Sequence, residues 1–414
     1  MNASARDARE GFTLDCDVLV VGGGAAGLAA AVTAARRGAK VTLLERYGFC
    51  GGAAVAGLSG TVCGLYAASD NPRATPEQVV RGGFVDDFLR TMEVRNGLTG
   101  PVRYGKTFTR VHDPLVWRET ADALLQDAGV TVLFHSTVVD ALTEGERIGG
   151  VVVWTKQGRG RVTAKVTVDA SGDGDVAALA GLPTFMGDNG QVQNPTMIFR
   201  LLGVDVPRFL AAYGEDSILA EPVMQLIKNL HNSREYVLPR AKVFLFPTPR
   251  PGELLCNATR ILGRDGRELN PMLVKDITEA EIEGRKQVRE YARFFRDRFA
   301  GCENAFVNDT GVQVGVRQTR QVQGVATLRN EDVLSRRKQR TGVARSPWPI
   351  ELHKGDKPRL EWLIEDYYEV PYECFVPQRG ESLLVAGRCL SAEHEAMASA
   401  RVTGPCFAYG QAVG

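Results

Sequence analysis

The apolar positions fall first into short continuous runs and then into mixed periods. Asp17-Val18-Leu19-Val20-Val21 is a β-branched run without polar alternation, as in a strand covered on both faces. After Gly22-Gly23-Gly24 the chain turns alanine-rich, and residues 28–37 predict a helix closed by Gly38. Residues 41–45 repeat the buried-strand pattern. Strand, helix and strand at this spacing predict parallel pairing through a crossover. Apolar residues at Val79, Val80, Phe84, Phe88 and Leu89 predict a helix over 75–92, with Pro76 in its first turn. Asp113 as N-cap and Pro114 as first residue predict another, through 126. Residues 130–134 predict a strand. Residues 138–142, 151–155 and 161–168 predict an antiparallel meander, turned at Gly149-Gly150 and Gln157-Gly158.

From about 182 to 372 prolines and arginines become frequent. Short strands are predicted at 196–202, 242–246 and 254–258. A long helix is predicted at 278–299, with Thr278 as N-cap and Glu281 completing a capping box. Residues 383–387 return to the buried-strand style of the beginning. The expected architecture is α/β: a Rossmann-like domain, parallel sheet plus small antiparallel meander, with an inserted α+β domain. The expected boundaries are 1–180 for the first domain (with a cap-like excursion near 76–104), 181–375 for the insertion, and 376–414 for the return.

Composition narrows the function. The chain has 414 residues, 44% hydrophobic and 24% charged, which excludes a wholly disordered or fibrous chain. Lys and Arg total 50 against 49 Asp and Glu, so no global field draws nucleic acid or anionic membrane. No apolar run reaches the roughly 18 residues of a membrane span, and residues 1–13 lack the apolar core of a signal peptide. The 8 cysteines form no CxxC pair. No metal site is therefore expected, and thinly spread thiols suit a reducing cytoplasm.

The chemistry concentrates in Gly22-x-Gly24-x-x-Gly27, set between strand and helix. The first glycine allows the tight turn, the second the approach of a pyrophosphate, the third close helix–strand packing. The free N–H groups of the helix start, beside Ala25 and Ala26, favour phosphate oxygens. Glu45 closes the second strand roughly 20 residues on, where a carboxylate accepts from ribose hydroxyls, with Arg46 beside it. Dinucleotide binding is the expectation.

Residues 17–52, with Gly51-Gly52 shortly after the ribose acid, resemble the extended adenine-dinucleotide motif of FAD-containing oxidoreductases. Val166 to Asp175 (VTVDASGDGD) resembles the second FAD-contact motif of that superfamily, and Val385 to Cys389 (VAGRC) the third, with Arg388 where an aspartate is usual. Residues 315–320, 350–353, 370–372 and 391–414 resemble one branch beside the fumarate-reductase-like flavoproteins. The resemblance covers nearly the whole chain and implies FAD, a glutathione-reductase/fumarate-reductase-like fold, and cofactor contacts from Ala170, Gly172, Asp173, Gly387 and Arg388. It also implies an adenine contact from the meander, assigned to Val138. Relatives of this kind continue near Gly410 into a helix whose N-terminus faces the flavin, so that helix is expected beyond the 414 residues.

Candidate catalytic residues come from the segments nearest the flavin end. Arg317 and Arg320 are candidates for a substrate carboxylate or for negative charge on reduced flavin, against a structural ion pair with a domain neighbour, and Arg401 is a candidate for holding substrate or the flavin pyrimidine edge. His353 and His394 are candidates for the proton that accompanies hydride transfer, against a satisfied structural histidine. By the same resemblance Cys50 is a candidate for a flavin thioether or, with Cys63, for a redox disulfide, against buried packing beside the cofactor. His112 reads as structural, and the basic run 336–340 as a solvated loop.

The expected activity is hydride transfer between flavin and a small organic substrate, carboxylate-bearing if the arginines of the insertion serve it. The alternatives are a flavin subunit serving an iron–sulfur partner, a C=C reductase of fumarate-reductase type, a structural flavin and, last, a plain NAD dehydrogenase. No second GxGxxG lies in the insertion. Electrons are then exchanged with oxygen, a quinone, a separate redox partner or transient NAD(P)H, and a homo-oligomer stays open.

Overall fold

The structure is a computed structural model describing residues 10–353 and 359–414; residues 1–9 of the polar amino-terminal stretch lie outside it. Strand β1 (Glu10–Val21), helix α1 (Ala25–Arg36) and strand β2 (Val41–Leu44) form the expected βαβ unit, with Val18 opposite Val41 and Val21 opposite Leu44. Strand β3 (Thr131–Leu133) extends the parallel set beyond β2. The meander is β4 (Thr137–Glu144), β5 (Arg147–Thr155) and β6 (Gly158–Asp169). β6 runs parallel to β1 along its length, and its last residues also pair with the strand Leu383–Val385. The sheet order is β3-β2-β1-β6-β5-β4. This places the carboxyl ends of β1, β2, β6 and Leu383–Val385 on one edge.

The structure departs from the sequence pattern at four places. β1 begins at Glu10, not Asp17, because Phe12 and Leu14 alternate with polar residues and pack on the core while pairing with β6. The helix read over 75–92 spans Gly83–Val94 instead. The Gly82-Gly83 pair takes positive φ, and Val79 and Val80 both donate from their backbone to Leu65 O. The β4–β5 turn falls at Gly145-Glu146, while Gly149-Gly150 lies inside β5 near a register shift. The long helix is Val274–Arg298. Thr278 sits within it and donates back to Val274 O at 2.6 Å, while Glu281 accepts from Val314 N at 2.7 Å, so neither side chain caps the helix. The Asp113 cap forms as read: its carboxylate accepts from Leu115 N at 2.8 Å.

A second sheet is antiparallel, ordered Phe244–Pro247, Glu253–Asn257, Phe199–Leu202, Phe306–Thr310. With Tyr291, Phe294 and Phe295 of the long helix it encloses a separate apolar cluster drawn from residues 197–314. Buried residues from Val322 to Phe375 join the first cluster. Tyr104, Phe244, Phe246 and Trp348 form a smaller third cluster.

Residues Thr403–Val413 form a helix. It lies on α1 through small residues: a Cβ on Gly410 would stand 2.0 Å from Ala26 O. Among the described residues no helix is long and apolar enough to cross a membrane.

Gly410→Ala forces this helix pair apart, a strain of about 1–3 kcal/mol, and should lower the thermal midpoint of the flavin-loaded protein. A midpoint equal to wild type would show the pair can give way. His112 is buried, packs on Trp117 at a ring distance of 4.6 Å, and its ring nitrogens have no hydrogen-bond partner among the described residues. Burial pushes its pKa from 6.5 down to about 4. The folded protein therefore resists a proton that the unfolded chain accepts. This contribution is whole above pH 6.5 and falls by about 3 kcal/mol on acidification to pH 4. Denaturant titrations of His112→Phe should show a shallower acid slope; an unchanged slope would place the sensitivity elsewhere.

Candidate active site at the strand ends

Between β1 and α1 the backbone is bare, and its neighbours use that bareness. A Cβ on Gly27 would lie 1.8 Å from Gly22 O, and one on Gly22 would lie 2.4 Å from Ala170 O. Gly27 is thus a packing residue, outside the cavity wall. Gly24 is different: a Cβ there meets nothing nearer than Gly52 Cα at 3.9 Å, and its open side faces a cavity. That cavity holds about 1170 Å³ of non-atom space, part of it open to solvent. Of the residues read as cofactor-binding, it brings together Gly22, Gly24, Ala25, Ala26, Glu45, Arg46, Gly51, Gly52, Val138, Ala170, Gly172, Gly387 and Arg388.

Glu45 is buried, with Oε2 accepting from Gly23 N at 2.7 Å and Oε1 from Tyr47 N at 2.9 Å. Burial pushes its pKa up, while these donors pull the other way. Arg46 donates to Gln313 at 2.9 Å, and Tyr47 bonds the same oxygen; Tyr47 and Gln313 line the cavity and were not singled out from sequence. Asp173 does not line it. Its carboxylate accepts from Thr319 Oγ1 at 2.7 Å and from Arg388 Nη2 at 3.1 Å, so it positions Arg388. Asp169, also missed, is fully buried; it accepts from Ser171, Val176 N and Ala177 N and ties down the loop that carries Gly172. Asp175 lines the cavity, its pKa raised to about 6 by burial and by the charges of Asp173 and Asp169.

A chamber of about 800 Å³, part of it open to solvent, adjoins this cavity and shares Ala53, Val316, Arg388, Arg401 and Thr403 with it. Arg317, Arg401 and His353 meet here. His353 Nε2 lies 3.2 Å from Glu351 Oε1, and Tyr104 donates to the same oxygen at 2.9 Å. Burial works against the Glu351 anion, but His353, Arg401 and Tyr104 hold its pKa down to about 2. Burial and the charge of Arg317 keep His353 well below the usual imidazole range. Arg317 donates to Asn194 O at 2.6 Å. Tyr104 and Glu351 carry no sequence pattern that marks them; only the fold brings them together.

The remaining candidates fall elsewhere. Arg320 is held by Asp173 O and by the Asp175 carboxylate, a structural ion pair. His394 starts the short helix His394–Ala400, half-buried and outside both cavity walls, because its turn faces Asn330 and Leu328. Cys50 is a free thiol packed beneath Gly23, and Cys63 is a free thiol in the chamber wall held by Thr61 and Thr109. The run 336–340 forms surface ion pairs with Asp332 and Asp366.

The sequence profile of the family described as FAD dependent oxidoreductase matches residues 17–414. The chain belongs to that family. FAD is its cofactor, and the bare glycine cradle with Glu45 beside it fits that group. Over 45 residues the chain is 60% identical to urocanate reductase of Eggerthella lenta, covering 11% of this chain and 7% of that protein. Over 81 residues it is 43% identical to aklavinone 12-hydroxylase DnrF of Streptomyces peucetius, covering 20% and 14%. The matches thus span a small part of these curated relatives. A geranylgeranyl bacteriochlorophyll reductase-like protein from Thermoplasma acidophilum superposes with a TM-score of 0.48 at 15% identity, over 96% of this chain and 76% of that one. Glycine oxidase from Geobacillus kaustophilus gives 0.44 at 13%, over 95% and 93%.

Gly24→Val should leave the fold intact, since a Cβ there meets nothing nearer than Gly52 Cα at 3.9 Å and the residue lines the cavity, yet empty the protein of flavin. Circular dichroism and flavin absorbance of the purified variant check both halves; normal flavin content would remove Gly24 from the cofactor wall.

Proposed function

We propose that this oxidoreductase transfers a hydride between the flavin of FAD and a small organic anion bound in the inner chamber. The observation that carries the reading is the shared wall: Arg388, Arg401 and Thr403 line both the glycine-loop cavity and the chamber. FAD supplies the two-electron chemistry when bound, and the protein supplies orientation, electrostatics and proton handling.

Arg317 and Arg401 supply the positive charge that draws an anion, and Arg240 adds to the field felt by Arg317. His353 handles the proton. Its Nε2–H donates to Glu351, which leaves Nδ1 as the acceptor of a neutral imidazole. Trp348 and Phe246 line the chamber and limit the water near these groups. The same arrangement serves oxidation of a C–H bond and, in reverse, reduction of a C=C bond.

The test is an anaerobic screen of small carboxylic acids for bleaching of the oxidised flavin, and of unsaturated acids for reoxidation of the reduced flavin. With the responding acid, His353→Ala should keep its FAD and slow the flavin step by about 10²–10⁴-fold. A variant as fast as wild type removes His353 from the reaction. If no acid acts in either direction, the hydride-transfer reading fails.

A further inference from the structure

The chamber has a surplus of donors. Among the described residues that line it, the buried side-chain atoms without a hydrogen-bond partner are Arg401 Nε, Arg401 Nη2 and Trp348 Nε1. All three are N–H donors, and a buried donor left unpaired is costly. The two on Arg401 occupy one edge of its planar guanidinium. A carboxylate meets that edge with two parallel hydrogen bonds, whereas a lysine ammonium has no such edge.

The rest of the wall restricts the body attached to such a carboxylate. Tyr104, Phe246 and Trp348 make an aromatic surface, with Tyr104 stacked on Phe246 at 6.1 Å and tilted on Trp348 at 5.2 Å. Glu351 stands in the same wall as a buried anion, already bonded to Tyr104 and His353. A second carboxylate on the ligand would be brought close to that buried charge, which is unfavourable.

We propose that the chamber selects a monocarboxylate with an apolar, flat body, its carboxylate held side-on by Nε and Nη2 of Arg401 and its body against Tyr104, Phe246 and Trp348. This rests on the reading of the chamber as the substrate site and specifies the class of molecule it takes. Arg317 supports the anion from the adjoining wall, where its Nη1 is already engaged with Asn194 O.

The test is calorimetric titration of the oxidised, FAD-loaded enzyme with propanoate, phenylacetate, 3-phenylpropanoate, 3-phenylpropanamide, succinate and inorganic phosphate. At least one aryl acid should bind, with the amide, succinate and phosphate at least about tenfold weaker. Arg401→Lys, titrated at matched FAD occupancy, should lose about tenfold or more for that acid. The acid–amide comparison needs no variant and stands even if Arg401→Lys folds poorly. Binding should also change tryptophan fluorescence, and Trp348→Phe should remove that change. Equal affinity for acid and amide, tighter binding of succinate or phosphate, or an Arg401→Lys variant that binds like wild type overturns the clamp and leaves the chamber as the substrate site. Acid binding that leaves the Trp348 signal unmoved overturns both readings. No binding by any of the three monocarboxylates at millimolar concentration overturns the clamp.

Discussion

Backbone contact at the carboxyl ends of β1 and β6 is the constraint on which the rest depends. Gly22 runs against the Ala170 carbonyl and Gly27 against the Gly22 carbonyl, at distances that no side chain survives. That contact brings two chain segments, separated by well over a hundred residues, to the same crevice beside the first turn of α1. A pyrophosphate needs the N–H groups of a helix start and no competing side chains. The cost appears in Asp169, a fully buried carboxylate whose burial raises its pKa. Four donors from Ser171, Val176 and Ala177 compensate it, and in doing so fix the path of the second segment.

A third segment is tied in by a side-chain link. Asp173 holds Arg388 and Thr319 together, and the Arg388 pair is largely screened from water. A pair of this kind contributes little net stability, but removing one partner strands the other charge. Its effect is positional: it sets the wall common to both cavities. The third flavin motif usually offers an acid, and this chain has Arg388 there; the acid comes from Asp173 on another segment, so the charge at this corner is balanced across the fold.

What was legible in the sequence was local. The βαβ unit, the glycine loop, Glu45 and the Asp113 cap each depend on residues within a few positions of one another. At two of the misread elements a distant partner decided. Thr278 and Glu281 have the spacing of a capping box, but the chain upstream is already helical and Val314 takes the glutamate. The start of β1 is decided by its pairing with β6. His353 and His394 were equal candidates by sequence; Glu351 and Tyr104, the latter 247 residues away along the chain from Glu351, separate them by building a site around one and leaving the other at a helix start. Asp169 was hidden because its function is to accept from backbone groups, which no residue pattern displays.

The chamber departs most from a comfortable interior. Arg240, Arg317 and Arg401 all have their charges disfavoured by burial, and Glu351 is the carboxylate that acts on all three. Had stability alone shaped this region, apolar residues of the same volume would serve it as well or better. The aromatic cluster beside it shows that the fold supplies such residues at the same depth. On the proposed reading, the retained positive charge with its unpaired donors is a preorganised field for an anion. Glu351 limits that field. By accepting from Tyr104 and His353 it fixes the imidazole in one orientation, and on the same reading its own charge restricts how much negative charge the chamber admits.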